Sequence, residues 1–210
     1  MPMGIFPDGT GNDMVKTWGI SKHPMEALEV ILSGHTTQVD TGLINDRRFL
    51  NVCGTGFDVT VLDYAQKAKR FVRGPLSYLV GVIMAIAHHA PVDLVIEENG
   101  EIRHKRALIC SIANGRYIGG GIAICKDASV EDGLFDIVLL DDTPRWRLIG
   151  YLPGLLMGKV LSFDITHHHR CSSITLKSAG MKINVDGEIM TTDEARFTLL
   201  PKSLRIFANG

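Results

Sequence analysis

From residue 92 to the C-terminus the sequence is a succession of short apolar runs, several of them separated by glycine-containing turns, and this restricts the fold more than any other feature. Residues 92–96 lead into Glu98-Asn99-Gly100 and then into residues 106–113. That is a hairpin signature, because Asn-Gly accepts the positive φ angles a tight two-residue loop demands. Further runs cover residues 135–140, 173–177, 181–185, 195–200 and 204–208, with turns expected at Ser178-Ala179-Gly180 and Asp186-Gly187. Many short strands and few helices predict a mainly β chain, built as a sandwich or a barrel.

Three apolar stretches read as helices: residues 24–33, 75–90 and 144–159. Each starts with proline, which suits a first turn where the missing N–H has no partner to lose. Pro153 and Gly154 are expected to bend or split the third. The first twenty residues behave differently. A strand-like scrap at residues 3–6 runs into Pro7-Asp8-Gly9-Thr10-Gly11-Asn12-Asp13 and then a helix-compatible segment ending at Gly19, a small α/β remnant at the N-terminus. A single strand–loop–helix unit cannot bury a core, so it either docks on the β part or belongs to a further domain.

With 22 basic residues against 23 acidic ones, nothing suggests a nucleic-acid footprint, whereas a small metabolite or a lipid stays open as partner. The cysteines, Cys53, Cys110, Cys125 and Cys171, form no Cys-x-x-Cys pair and follow no secretory segment, so neither zinc nor disulfides are favoured and reduced thiols in a cytoplasmic protein fit. No apolar run reaches the roughly 18 to 20 residues of a membrane span. A soluble chain is expected, with peripheral membrane contact through residues 76–87 left open.

Several clusters carry chemistry. Gly9-Thr10-Gly11-Asn12-Asp13 offers backbone N–H groups at a helix N-terminus, where the helix dipole favours a phosphate, and Thr10 adds a hydroxyl; the same residues also suit an ordinary capped turn. Ser129-Val130-Glu131-Asp132-Gly133-Leu134 sets a carboxylate beside loop carbonyls, oxygen donors of the kind Mg²⁺ accepts, and equally reads as an Asp-Gly turn. Val185-Asp186-Gly187-Glu188 puts two acids on a turn, either a general-base position or a plain hairpin. The glycines of Gly115-Arg116-Tyr117-Ile118-Gly119-Gly120-Gly121 imply close backbone approach to a ligand or a neighbouring strand. Lys67, Lys69, Arg70 and Arg73 can hold phosphates or simply form a solvated face. In His167-His168-His169 adjacent strand side chains point to opposite faces, so the triplet is not expected to converge on one ion.

Taken in order, these signals resemble the diacylglycerol kinase and sphingosine kinase superfamily, with its bacterial lipid-kinase members, over essentially the whole chain. The family's Pro-x-Gly-Thr-x-Asn-Asp loop is similar to residues 7–13, and its Leu-Gly-Ile to Trp18-Gly19-Ile20. Its Asp-x-Gly, Phe-x-Asn and Gly-x-Gly-Phe-Asp series resembles Asp40-Thr41-Gly42, Phe49-Leu50-Asn51 and Gly54-Thr55-Gly56-Phe57-Asp58. The match continues through residues 74–78, Asn114-Gly115, residues 119–121, Asp132-Gly133-Leu134-Phe135-Asp136 and Asp186-Gly187-Glu188.

The resemblance implies ATP-dependent phosphoryl transfer to a lipid hydroxyl, in a site between an α/β nucleotide domain and a β-sandwich. It implies a nucleotide contact at Thr10, within Gly9, Gly11 and Asn12, a proton acceptor at Glu188, and a largely structural Mg²⁺ held by Asp132 with the carbonyls of Ser129 and Leu134. The family's Gly-Gly-Asp-Gly-Thr phosphate loop is not in this sequence. Residues 1–35 are therefore expected to be a remnant of the nucleotide-binding domain and 36–210 the β-sandwich domain, with this chain alone inactive. A sandwich parted from its companion domain would expose an apolar patch and could form a homodimer. The competing readings are a metabolite kinase related to NAD kinase and a non-catalytic lipid-binding β-sandwich.

Overall fold

The computed structural model describes residues 1–9, 11–72, 75–88 and 90–209. In chain order the elements are α1 (Asp13–Thr17), α2 (Pro24–Ser33), β1 (Thr36–Ile44), β2 (Arg47–Phe49), β3 (Val52–Gly56), α3 (Phe57–Ala68), α4 (Pro75–His88), β4 (Val92–Glu98), β5 (Glu101–Ala113), β6 (Tyr117–Ile118), β7 (Ile122–Ala123), β8 (Phe135–Asp141), α5 (Arg145–Leu156), β9 (Thr166–Cys171), β10 (Ser173–Val185) and β11 (Glu188–Phe207). A short 3₁₀ turn, Val160–Ser162, follows α5.

Both expected two-residue hairpins form. Asn99 and Gly100 take φ of 52° and 81° between the paired residues Glu98 and Glu101. Asp186 and Gly187 take φ of 50° and 98° between Val185 and Glu188. Positive φ at both central positions matches the right-handed twist of the flanking strands.

The main sheet runs β2-β1-β11-β10-β3-β5-β8-β9, and β4 also pairs with β10 and β5, so β3 and β4 share one place in the order. The sheet folds over on itself. Phe49 of β2 stacks on Phe135 of β8 with ring centroids 5.6 Å apart, and meets Phe197 of β11 edge-on at 6.1 Å. Strands near opposite ends of the order thus close over one core, which also takes Ile96, Ile112, Leu176 and Ile183. A sandwich, rather than an open sheet, is the outcome.

A second core lies on the outer face, where Val61 of α3, Val82 and Ala85 of α4 and Leu148 of α5 pack against Leu108, Val138 and Leu140. Strand β8 faces both cores, with Phe135, Ile137 and Leu139 inward and Val138 and Leu140 outward. That double burial explains its apolar run at residues 137–140.

The structure departs from expectation in several places. Residues 178–180 are not a turn between strands: β10 runs through them, with a register break between Lys177 and Met181 opposite β11. Likewise the runs 195–200 and 204–208 join in one strand, because β1 pairs across both, with an irregularity between Val39 and Thr41. A partner strand spanning the interruption turns a would-be corner into a bulge. Second, α3 was not foreseen, since Phe57, Val59 and Val61 alternate as a strand would; Gly56 turns the chain at φ 95°, and α4 then packs on the new helix. Third, Pro153 sits inside α5 without splitting it. It forfeits one helical hydrogen bond, while Leu148, Tyr151, Leu152 and Leu155 hold the helix on the second core.

The N-terminal scrap docks on the sheet. Met3 bridges in parallel to Ile206, donating its N–H to the Arg205 carbonyl at 2.9 Å and accepting from Phe207 at 3.0 Å. Behind it, Val15, Ile20 and Ala27 bury together with Ile5 and Trp18.

Candidate functional site

A cavity of about 650 Å³ opens where the 11–14 loop, α3, the β2–β3 connection, the 118–120 loop and the β10–β11 turn meet. Its walls combine polar groups such as Asn12, Asp58, Asn184 and Asp186 with apolar Ile5, Val15, Leu62 and Ala65.

Asp186 fixes one wall. Its carboxylate accepts from the backbone N–H groups of Leu50, Asn51 and Val52 at 2.7, 2.9 and 3.2 Å. The β10–β11 turn is thereby bound to the β2–β3 connection. Burial raises the Asp186 pKa, and the three amides and Arg47 oppose that rise. Asn51 extends the clamp, donating to the Tyr117 carbonyl at 2.8 Å, and Asn114 donates to the Leu50 and Asp40 carbonyls at 2.7 and 3.1 Å.

Asp58 lies in the first turn of α3, only 7% exposed. A Cβ at Gly54 would overlap its carboxylate, so that glycine is what admits the acid. Asn184 Nδ2 donates to Oδ2 at 3.4 Å, whereas Oδ1 is buried with no hydrogen-bond partner among the described residues. Burial outweighs the Asn184 bond and pushes the Asp58 pKa up to about 6. A carboxyl of that pKa facing a cavity is poised to bind or exchange a proton with a polar ligand. Sequence reading had Asp58 only as part of a glycine-rich series; the signal was the glycine at Gly54 that makes room for it.

Of the residues singled out for a nucleotide, Gly11 and Asn12 line the cavity and Gly9 does not; Thr10 lies outside the described residues. Gly9 donates its N–H to the Asn12 side chain at 3.0 Å, and Asn12 takes φ 49° ahead of the five-residue α1. Asp13 Oδ2 accepts from Gly120 N–H at 2.9 Å, and a Cβ at Gly11 would stand 3.1 Å from the Gly120 Cα. The Gly119–Gly121 backbone thus makes its close approach to this loop, to the Tyr78 ring and to Lys16.

Glu188 follows the lining residues Asp186 and Gly187 in sequence but does not itself line the cavity; its side chain is 74% exposed and pairs with Arg47 at 2.5 Å. Asp132 stands apart, with Oδ1 accepting from Leu134 N–H at 3.2 Å and Oδ2 3.4 Å from Arg170. The Ser129 hydroxyl accepts from Glu131 N–H at 3.3 Å. The Asp132 carboxylate and the carbonyls of Ser129 and Leu134 are hard oxygen donors of the sort Mg²⁺ takes, although Arg170 holds a positive charge against that carboxylate. In the basic cluster Lys69 lines the cavity, Lys67 pairs with Asp63 at 2.7 Å, and Arg73 lies outside the described residues.

Residues 51–208 match the family model described as the YegS C-terminal NAD kinase beta sandwich-like domain, which is most of the chain. The chain belongs to the bacterial lipid kinases. Residues 1–44 match the diacylglycerol kinase catalytic domain, so this lipid kinase chain carries the sandwich domain and part of the catalytic one. It is 32% identical to "Probable lipid kinase YegS-like" of Enterobacter sp. (strain 638), covering 96% of this chain and 67% of the relative. It is 29% identical to "Diacylglycerol kinase" of Mycobacterium tuberculosis, covering 98% and 69%. Its fold is shared with the crystal structure of a diacylglycerol kinase from Bacillus anthracis, at TM-score 0.70 and 18% identity, over 99% of this chain and 67% of that one. The cavity lies where the segment matching the catalytic domain meets the sandwich.

Among the described residues no helix is long and apolar enough to cross a membrane.

Proposed function

We propose that the cavity is the sandwich side of a phosphotransfer site in which the γ-phosphoryl group of ATP passes to the hydroxyl of a diacylglycerol-like lipid. The observation that carries the reading is the meeting, in one cavity, of the Gly11–Asn12 loop with the carboxylates of Asp58 and Asp186 and an apolar wall from α1 and α3. The division of the chain at residues 35 and 36, into part of a nucleotide-binding domain and a lipid-binding sandwich, belongs to the same proposal.

Gly11 and Asn12 present their amides to the nucleotide phosphates, and the nucleotide contact at Gly9 and Thr10 that the family resemblance implies belongs to the same proposal. The Asp58 carboxyl orients the lipid hydroxyl. Glu188, released from Arg47 by the incoming substrate, takes its proton as the hydroxyl oxygen bonds to the γ-phosphorus. The bond from that phosphorus to the bridging oxygen breaks, and ADP leaves. Asp186 positions the turn that presents Glu188, through its three amide bonds. Asp132, with the carbonyls of Ser129 and Leu134, would hold a structural Mg²⁺, whose charge would steady the turn that precedes β8.

Exposed Leu76, Ile83 and Met84 on α4, and Trp146, Ile149 and Leu156 on α5, support peripheral contact with the membrane that holds such a lipid. The test is phosphate transfer from ATP to a panel of lipid hydroxyls, by this chain and by a form extended upstream with a Gly-Gly-Asp-Gly-Thr loop. Transfer by the extended form that Glu188→Gln abolishes without unfolding supports the reading. Lipid binding without transfer by either form replaces it with a non-catalytic lipid-binding sandwich.

A further inference from the structure

Strand β9 ends the main sheet, and its side chains alternate between the two faces. The β8–β9 register sets His168 opposite Val138 and Arg170 opposite Asp136, both on the outer face, while His169 and Cys171 lie opposite the inward residues Ile137 and Phe135. Asp136 and His168 are thus diagonal neighbours, with His168 Nε2 2.6 Å from Asp136 Oδ1. The loop after β7 brings Cys125 to the same place, its Sγ 3.9 Å from His168 Nε2. A thiol sulfur, a carboxylate oxygen and an imidazole nitrogen then lie within 4.8 Å of one another.

We propose that Cys125, Asp136 and His168 form a binding site for a divalent transition-metal ion of zinc-like chemistry. A second observation points to a cation. Asp136 is 1% exposed, and while Oδ1 accepts from His168 and from Arg170 Nε at 3.1 Å, Oδ2 is buried with no hydrogen-bond partner among the described residues. A buried carboxylate oxygen left without a partner is costly, and an ion beside it removes that cost.

The ligand set is the mixture of thiolate, imidazole and carboxylate that zinc tolerates. A tetrahedral zinc ion puts sulfur and nitrogen ligands about 3.6 Å apart, close to the 3.9 Å found. With the unpartnered Oδ2 as the ligand oxygen, His168 Nε2 must leave its 2.6 Å contact with Oδ1 to face the ion. The His168 side chain, 32% exposed, gives the ion a route in and room for that movement. Binding breaks the Sγ–H bond, forms the Sγ–metal bond and releases the thiol proton to solvent; the imidazole binds as its neutral Nδ1–H tautomer, the Nε2 proton exchanging through solvent, and with three protein ligands the fourth position falls to water.

The opposite face supplies a control. Glu98, His169 and Cys171 are also clustered. There, however, both Glu98 oxygens already face His169 and one is held by Arg103, so no carboxylate oxygen is left over.

The experiment is a Co²⁺ titration of the purified, metal-stripped chain, followed by near-ultraviolet sulfur-to-cobalt charge transfer and by back-titration with Zn²⁺. One Co²⁺ per chain, a charge-transfer band that Zn²⁺ abolishes, and weakening by about tenfold or more in His168→Gln but not in His169→Gln are expected. Circular dichroism establishes that both variants are folded. No band in excess Co²⁺, an affinity unchanged in His168→Gln, or one that His169→Gln weakens equally would overturn the proposal.

Discussion

Asp58→Asn should make the protein more stable at neutral pH and leave its stability nearly unchanged in acid. The Asp58 carboxyl is 7% exposed, and burial raises its pKa from an ordinary 3.8 to about 6. Between those values the folded chain binds more protons than the unfolded one, so stability falls as pH rises through the window from about 4 to about 6 and stays lowered above it. The difference corresponds to about 3 kcal/mol of destabilisation once Asp58 is ionised. An amide carries no charge to desolvate and its oxygen still accepts from Asn184, but its NH₂ group inherits the unpartnered Oδ1 position. The protonated carboxyl of the parent leaves the same position unpartnered, so in acid the two costs nearly cancel, and the gain at neutral pH is about 2–3 kcal/mol. Urea unfolding of the variant and the parent at about pH 4 and about pH 7.5 measures it, at equal m-values. A gain at the higher pH that vanishes at the lower is the expected result, together with loss of phosphotransfer if Asp58 orients the lipid hydroxyl. Destabilisation at pH about 7.5, or a difference independent of pH, would refute the reasoning.

Other changes test other parts of the structure. Glu188→Gln should abolish phosphotransfer by the active form and change stability by less than about 1 kcal/mol, since its pair with Arg47 is exposed; steady-state kinetics and thermal melting separate the two effects. Asp186→Ala should cost about 3 kcal/mol, because it strands three backbone N–H groups of residues 50–52, and amide hydrogen exchange there should rise. Phe49→Ala should cost about 3–5 kcal/mol in chemical denaturation, as its ring joins the two ends of the folded sheet. Gly121→Ala should destabilise by about 1–3 kcal/mol, since its φ of 119° strains any side chain and a methyl group would also displace the Lys16 ammonium.

Local signals carried much of the fold into the sequence. The Asn99-Gly100 and Asp186-Gly187 turns were legible because the two central residues of each hairpin alone determine the loop geometry. The single 20-residue β11 was not, because Pro201 and Lys202 look like a corner until β1 is seen to pair on both sides of them. Helix α3 was hidden by β-branched alternation that packing against α4 overrides. At the cavity, the glycine-rich and acidic motifs supply lining residues at Gly11, Asn12, Gly119, Gly120, Asp186 and Gly187. The buried state of Asp58 depends on Gly54 and Asn184, one from the neighbouring strand and the other from residues far along the chain, and the three ligands Cys125, Asp136 and His168 come from three segments with no shared spacing. Only the folded chain brings such groups together.

The central claim is that the cavity between the 11–14 loop, α3 and the β10–β11 turn receives the lipid, and the direct test is a titration of the isotopically labelled chain with a short-chain diacylglycerol, followed by amide chemical shifts. The account predicts saturable shifts centred on residues 50–52, 118–120 and 186–187, reduced in Asp58→Asn. Shifts confined to other faces of the sandwich, or none with a lipid concentration that saturates an active homologue, would contradict it.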